Sequence, residues 1–133
     1  KDIMLEFKDG KITNYNASTG VEELKNIIEL DAESSMLGEI ALVDKNSKIA
    51  KTNILFYETL YDENASCHIA VGRGFKECLK DSENMNEQEL EKIGYNNSKN
   101  HVDIMVGTND LNITATTYDN QEILIFKDGS FNI

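Results

Sequence analysis

The sequence predicts an α+β fold, with a mixed or largely antiparallel sheet and a few helices. Two observations carry this expectation. The tetrapeptide Phe-Lys-Asp-Gly occurs near each end, at Phe7 and at Phe126, each time beside short apolar, β-prone runs. Asp-Gly between such runs is a strong short-range hairpin signal, because the tight turn needs left-handed backbone at both residues. Between these ends lie segments with helix start and stop signals, and no linker or low-complexity tract.

Taken in order, residues 3–7 and 12–17 are expected to pair across Lys8-Asp9-Gly10-Lys11. Thr19 then opens a helix, with Glu22 three residues on as a capping box. Val21, Leu24, Ile27 and Ile28, extended by Leu37, give it an apolar stripe; it should end between Ala32 and Leu37, before Gly38. Residues 39–43 read as a mostly buried strand, and 44–53 as a polar loop. The apolar and aromatic run 54–61 suits helix or strand, with a short helix preferred. Residues 69–72 form a strand. Asn86 caps a short helix through Glu89, which Gly94 ends. Residues 102–107 are another strand, and 113–117 pairs antiparallel with 123–126 across Asp119-Asn120. A last turn, Lys127-Asp128-Gly129, leads to Phe131. The repeated tetrapeptide reads as two hairpins solving the same turn problem, in preference to a remnant repeat.

At 133 residues the expectation is a single domain, able to bury a core without disulfides. A formal net charge of -11 argues against a nucleic-acid partner, since phosphate binding needs clustered Lys and Arg. The acidity suits a solvated surface or the attraction of cations. Two cysteines, Cys67 and Cys78, are expected as free thiols, which fits a cytoplasmic location. No apolar run is long enough for a membrane span, so no membrane partner is expected. The chain starts at Lys1 and contains no proline; the missing methionine suggests a fragment.

The chain has only two histidines, and each lies near carboxylates. In His101-Val102-Asp103, strand periodicity would put both polar side chains on one face. An imidazole and a carboxylate converging on one point make half of a metal site. Asp62-Glu63-Asn64-Ala65-Ser66-Cys67-His68 offers a second cluster, in which Glu63 and His68 could converge only through a turn; a loop acid and an unrelated histidine are the plainer alternative. Glu39, just after Gly38, is either a ligand at a strand end or a surface glutamate at a strand mouth, and spacing alone favours the latter. Cys67 reads as a buried inert thiol. Arg73, in Val71-Gly72-Arg73-Gly74-Phe75, does not sit in a phosphate loop, since the Lys-Ser/Thr end is missing.

Three stretches resemble one known family: 38–43, 55–70 (Leu-Phe-Tyr-Glu-Thr-Leu-Tyr-Asp-Glu-Asn-Ala-Ser-Cys-His-Ile-Ala) and 101–107 (His-Val-Asp-Ile-Met-Val-Gly). With the opening Leu5-Glu6-Phe7-Lys8-Asp9-Gly10-Lys11 and the closing Ile125-Phe126-Lys127-Asp128-Gly129, they are similar, in order, to the M29 metallo-aminopeptidases of the aminopeptidase T and aminopeptidase S type. The resemblance implies a two-domain cytoplasmic exopeptidase, of which this chain would be the C-terminal, metal-binding catalytic portion. It implies two divalent metal ions (Zn, Co or Mg), peptide substrates and a homodimer. Carried onto this sequence, the ligands are Glu39, Glu63, His68, His101 and Asp103, with Glu39 bridging, and with Glu63 and an upstream family glutamate both candidates for proton transfer. At least one further family glutamate would precede Lys1, so this chain alone is expected to be inactive. Phe75 stands where many family members have a tyrosine close to the metals. The stretch 76–100 matches least, and no site is placed there.

Two readings from other classes remain beside it. One is a non-catalytic dimerisation module, in which Phe56, Tyr57 and Tyr61 would form the contact, although core packing is the plainer expectation for them. The other is an acidic Ca²⁺-binding domain, disfavoured by the two histidines because Ca²⁺ prefers oxygen ligands.

Overall fold

The fold is α+β, built from three small antiparallel sheets and short helices, in a computed structural model that describes residues 1–132. The chain forms two compact units, residues 1–39 with 69–104 and residues 40–68 with 105–133.

In the first unit, β1 (Met4–Lys8) and β2 (Lys11–Asn16) pair antiparallel, with a register shift between Glu6 and Phe7. Their turn is the one the sequence predicts: Asp9 and Gly10 have φ of 51° and 79°. Ile12 on β2 packs with Leu24 and Ile28 of α1 (Val21–Ile28) and with Val71 to make the core, flanked by Leu5, Tyr15 and Val102.

Helix α1 departs from expectation at both ends. Its N-cap is Gly20, in left-handed backbone at φ 85°, with no side-chain cap; the Thr19–Glu22 capping box does not form. Glu22 and Glu23 in the first turn favour the helix N-terminus through the dipole instead. The helix stops at Ile28, several residues early. Just beyond it, Asp31 Oδ1 accepts from the Glu33 amide at 3.0 Å, and Ser34 Oγ accepts from the Asp31 amide at 3.0 Å. Side chains that take backbone amides in this way compete with helix propagation. Leu37 consequently belongs to a strand.

That strand, β3 (Leu37–Ala41), lies two residues earlier than expected, so Glu39 is at its middle and half-buried. It forms a sheet in the order β3-β4-β5 with β4 (His68–Gly72) and β5 (His101–Met105). The second helix of this unit, α3 (Glu87–Lys92), has the predicted start: the Asn86 side chain accepts from the Glu89 amide, and Glu89 accepts from the Asn86 amide. It ends where the sequence puts the stop, at Lys92 with Ile93 as C-cap and Gly94 in left-handed backbone at φ 86°. Asn86→Ala removes the side-chain half of this exchange, leaving the Glu89 amide without its acceptor, and is expected to lower stability by about 1 kcal/mol, read from the urea midpoint.

In the second unit, β6 (Ile113–Thr116), β7 (Glu122–Lys127) and β8 (Ser130–Phe131) form a meander. Its second turn repeats the first hairpin, with Asp128 at φ 47° and Gly129 at 76°. Phe126 is fully buried and meets Phe131 edge-on, ring centroids 5.1 Å apart. The Asp44 carboxylate ties the loop 44–49 to this meander, accepting from the Phe131 amide at 3.0 Å and from Ser130 Oγ at 3.2 Å. The Asn46 amide, foremost, and that of Phe131 hold its carboxyl below the ordinary aspartate value.

The expected helix over 54–61 reduces to α2 (Thr59–Asp62). The Asp62 carboxylate reaches back to the amides of Phe56 (2.9 Å) and Glu58 (3.1 Å), folding the preceding residues into a non-helical bend with Tyr57 at φ 57°. This bend turns the aromatic cluster outward. Tyr57 is 89% exposed and Tyr61 55%, which overturns the core-packing expectation for Phe56, Tyr57 and Tyr61.

Candidate metal centre

Two strands of the first unit supply the centre. On β5, residues 101 and 103 share a face, as the period of two requires, and His101 Nε2 lies 3.2 Å from Asp103 Oδ1. From β3, Glu39 Oε2 comes to 3.2 Å from the same nitrogen. On the other side of the ring, His101 Nδ1 is 2.6 Å from the carbonyl oxygen of Arg73. A carbonyl only accepts, so Nδ1 carries the proton, and in the neutral imidazole Nε2 is left as a lone pair.

That lone pair faces two carboxylate oxygens. Asp103 Oδ1 is buried and, among the described residues, has no hydrogen-bond partner. A buried acceptor without a donor costs about 1–3 kcal/mol unless something positive lies beside it. Two carboxylate oxygens and an imidazole nitrogen suit a divalent ion such as Zn, Co or Mg. Glu39 and Asp103 also each offer an oxygen within 4.8 Å of the other, inside the span of a shared ion. The residues therefore fit a metal.

The Phe75 ring stands edge-on to His101, centroids 5.2 Å apart, and is 52% exposed. It shields one side of the imidazole but brings no polar atom to the centre.

His68 opens β4, the strand between β3 and β5, and is only 3% exposed. Its Nδ1 lies 3.0 Å from the carbonyl oxygen of Ser66. The same reasoning gives Nδ1–H and a lone pair on Nε2. Both histidines of the chain are thus held through Nδ1 by a backbone carbonyl, the arrangement that orients metal-bound imidazoles. Cys67, next to His68, is buried and bonded to the Val43 backbone. Glu63 begins the 3-10 turn Glu63–Ala65 directly after α2, half-buried.

The stretch 76–100, where the sequence predicts no site, carries a buried hydrogen-bond network directly before His101. Ser98 is 1% exposed and Ser34 fully buried, with their hydroxyls 3.1 Å apart. Asp31 Oδ2 accepts from the Lys99 amide at 2.8 Å and from Ser98 Oγ at 3.0 Å. The available signal was the run Asn96-Asn97-Ser98-Lys99-Asn100 directly before His101, small polar residues that bond readily to backbone.

The Lys99 amide, foremost, with Ser34, Glu33 and Ser98, brings the Asp31 carboxyl down to about 2 from 3.8. A carboxyl depressed in the folded state contributes stability above its unfolded value and loses it as pH falls through the folded one. Asp31→Asn is therefore expected to be less stable than the parent at pH 5, with the gap closing between about pH 4 and pH 2. Paired urea melts across that range measure it; a gap independent of pH would remove the charge from the account.

A family model described as thermophilic metalloprotease (M29) matches residues 1–131. The chain is similar to Aminopeptidase AmpS of Bacillus subtilis, 41% identical over 131 residues, which are 98% of this chain and 32% of that protein. It is 39% identical over 127 residues to Aminopeptidase 2 of Geobacillus stearothermophilus, covering 96% of this chain and 31% of that protein. Among solved structures it superposes on wild-type AmpT from Thermus thermophilus with a TM-score of 0.86 at 32% identity, covering 98% of this chain and 32% of that one. The chain thus spans about a third of the length of the relatives it matches.

Proposed function

The chain belongs to the M29 family of thermophilic metalloproteases, and from that premise we propose that it forms the C-terminal catalytic portion of a metal-dependent aminopeptidase that removes N-terminal residues from peptides. The observation that carries the proposal is the His101 lone pair set between Glu39 and Asp103, with the Asp103 oxygen buried and unpartnered. The names of the relatives supply the substrate class.

We assign Glu39, Glu63, His68, His101 and Asp103 as ligands of two divalent ions (Zn, Co or Mg), with Glu39 as the bridging carboxylate. When bound, such a pair supplies Lewis acidity for the scissile carbonyl and lowers the pKa of water. The chain's own groups do the rest. Backbone carbonyls keep the Nε2 atoms of His68 and His101 as donors of lone pairs. A Glu63 carboxylate oxygen takes the proton of the attacking water and passes it to the departing amine. Phe75 has no hydroxyl to offer a developing oxyanion, so the substrate oxygen must find its partners elsewhere.

This 133-residue chain alone is expected to be inactive, because the resemblance puts one more ligand glutamate before Lys1. We propose a cytoplasmic location, which the free thiols Cys67 and Cys78 support. No helix among the described residues is long and apolar enough to cross a membrane. The test is anomalous scattering at the Co or Zn edge from a soaked crystal, run beside an aminoacyl chromogenic assay. Density at His101 and Asp103 without turnover is the expected pair of results. Absence of density there, at saturating metal, would end the proposal.

A second reading rests on the outward aromatic segment. Ile54, Leu55, Tyr57, Leu60 and Tyr61 are all more than half exposed within the segment 54–61, and clustered exposed apolar side chains support a contact site. We assign it to a homodimer contact that accompanies the peptidase. Sedimentation with and without metal separates the two roles: a dimer that binds no ion leaves only the interaction module.

A further inference from the structure

The Arg73 side chain and the polar stretch before β5 have no part in the function proposed above, yet they meet beside His101. The Arg73 carbonyl is the atom that fixes the His101 tautomer, and the residue that bears it is pinned at three points. Its amide donates to the Asn100 carbonyl at 2.7 Å. Its Nε donates to the Ser98 carbonyl at 3.1 Å, and its Nη2 to Asn97 Oδ1 at 3.3 Å. Ser98 is in turn the hub of a buried network. Its hydroxyl lies 2.7 Å from Asn100 Oδ1 and 3.0 Å from Asp31 Oδ2, and accepts from the Asn100 amide at 3.3 Å. Asn100 Nδ2 completes the circuit by donating to the Ile27 carbonyl, at the end of α1, at 2.8 Å.

The network therefore holds both partners of one hydrogen bond. On one side it anchors Asn100, the residue immediately before His101. On the other it anchors Arg73, whose oxygen receives Nδ1–H. We propose that Ser98 is a positioning residue for the metal centre: through Asn100 and Arg73 it sets the His101 ring, holding Nε2 as the lone-pair atom between Glu39 and Asp103. Ser98 acts on the centre through the geometry of the Arg73 carbonyl. The consequence for metal affinity rests on the function proposed above, whereas the consequence for the tautomer does not.

The test uses the 133-residue chain with Ser98→Ala, Ser98→Thr and Arg73→Ala. Arg73→Ala alters a partly exposed side chain and keeps the test alive if Ser98→Ala does not fold. Two-bond ¹⁵N–¹H spectra of the metal-free chain, taken at alkaline pH, report which ring nitrogen bears hydrogen. His68 serves as the internal reference. The parent should show Nδ1–H at both histidines. Ser98→Ala and Arg73→Ala should give a tautomer mixture at His101 alone, and Ser98→Thr, which keeps the hydroxyl, should restore the single form. Calorimetric titration with Co²⁺ should show an affinity loss of about 10- to 100-fold in the first two variants. A parent that binds no Co²⁺ would sink the peptidase reading while the tautomer result still decides the positioning role. An unchanged His101 in both variants, or equal changes at His68 and His101, would overturn the proposal.

Discussion

Asp103→Asn is expected to make the metal-free chain more stable and to abolish its metal binding. The two effects have one cause. In the parent, Asp103 Oδ1 is buried beside the His101 lone pair, with no donor among the described residues and Glu39 Oε2 on the same nitrogen. An asparagine amide would donate to His101 Nε2, converting a repulsive contact into a hydrogen bond and removing one negative charge. The gain should be about 1–3 kcal/mol, the usual size of an unsatisfied buried polar group. Metal affinity should fall by at least about 100-fold, since a neutral amide is a poor substitute for a carboxylate ligand. A rise in the urea midpoint together with loss of Co²⁺ binding checks both halves. A destabilised variant would show that His101 and Asp103 already satisfy each other, and the case for a metal would lose its main support.

Gly72→Ala should have the largest effect on the fold. Gly72 ends β4 at φ +93°, and a Cβ there would lie 2.3 Å from Asn100 Oδ1 and 2.4 Å from the Asn100 carbonyl oxygen. Backbone strain contributes about 1–3 kcal/mol, and the forced displacement a similar amount, so the total is on the order of 4 kcal/mol. Against a typical domain stability of about 5–15 kcal/mol, that would leave a substantial unfolded fraction under mild denaturant. The atoms struck belong to Asn100, one residue before His101, so the surviving folded molecules should also bind metal more weakly. Urea melts and Co²⁺ titration on the same sample measure the two losses; a variant within about 1 kcal/mol of the parent would show that this approach is not as close as the geometry states.

Local signals decide where the sequence could be read. The Asp-Gly turns, the Asn86 cap and the H-x-D strand each depend on residues within a few positions of one another, and all three appear where periodicity and capping rules put them. The failures come from side chains that reach across a turn. Asp31 and Ser34 end α1 early, and Asp62 bends the segment expected to be helical. Neither competition can be weighed without knowing which amides lie within reach. For the centre, the shared face of His101 and Asp103 was legible from spacing. Glu39 was not: residues 39 and 101 meet only through strand order, and spacing alone made Glu39 a surface residue. The network of Asp31, Ser98 and Asn100 ahead of His101 was invisible for the same reason.

The contrasting burial of the two cysteines has a practical consequence. Cys78 is exposed, whereas Cys67 is 3% exposed and has its sulfur bonded to both backbone atoms of Val43. A thiol reagent added to the native chain should therefore modify one sulfur quickly and the other only when the segment around Val43 lifts away. The rate of that second modification is a built-in gauge of how often the second unit opens, readable by mass spectrometry without any engineered label.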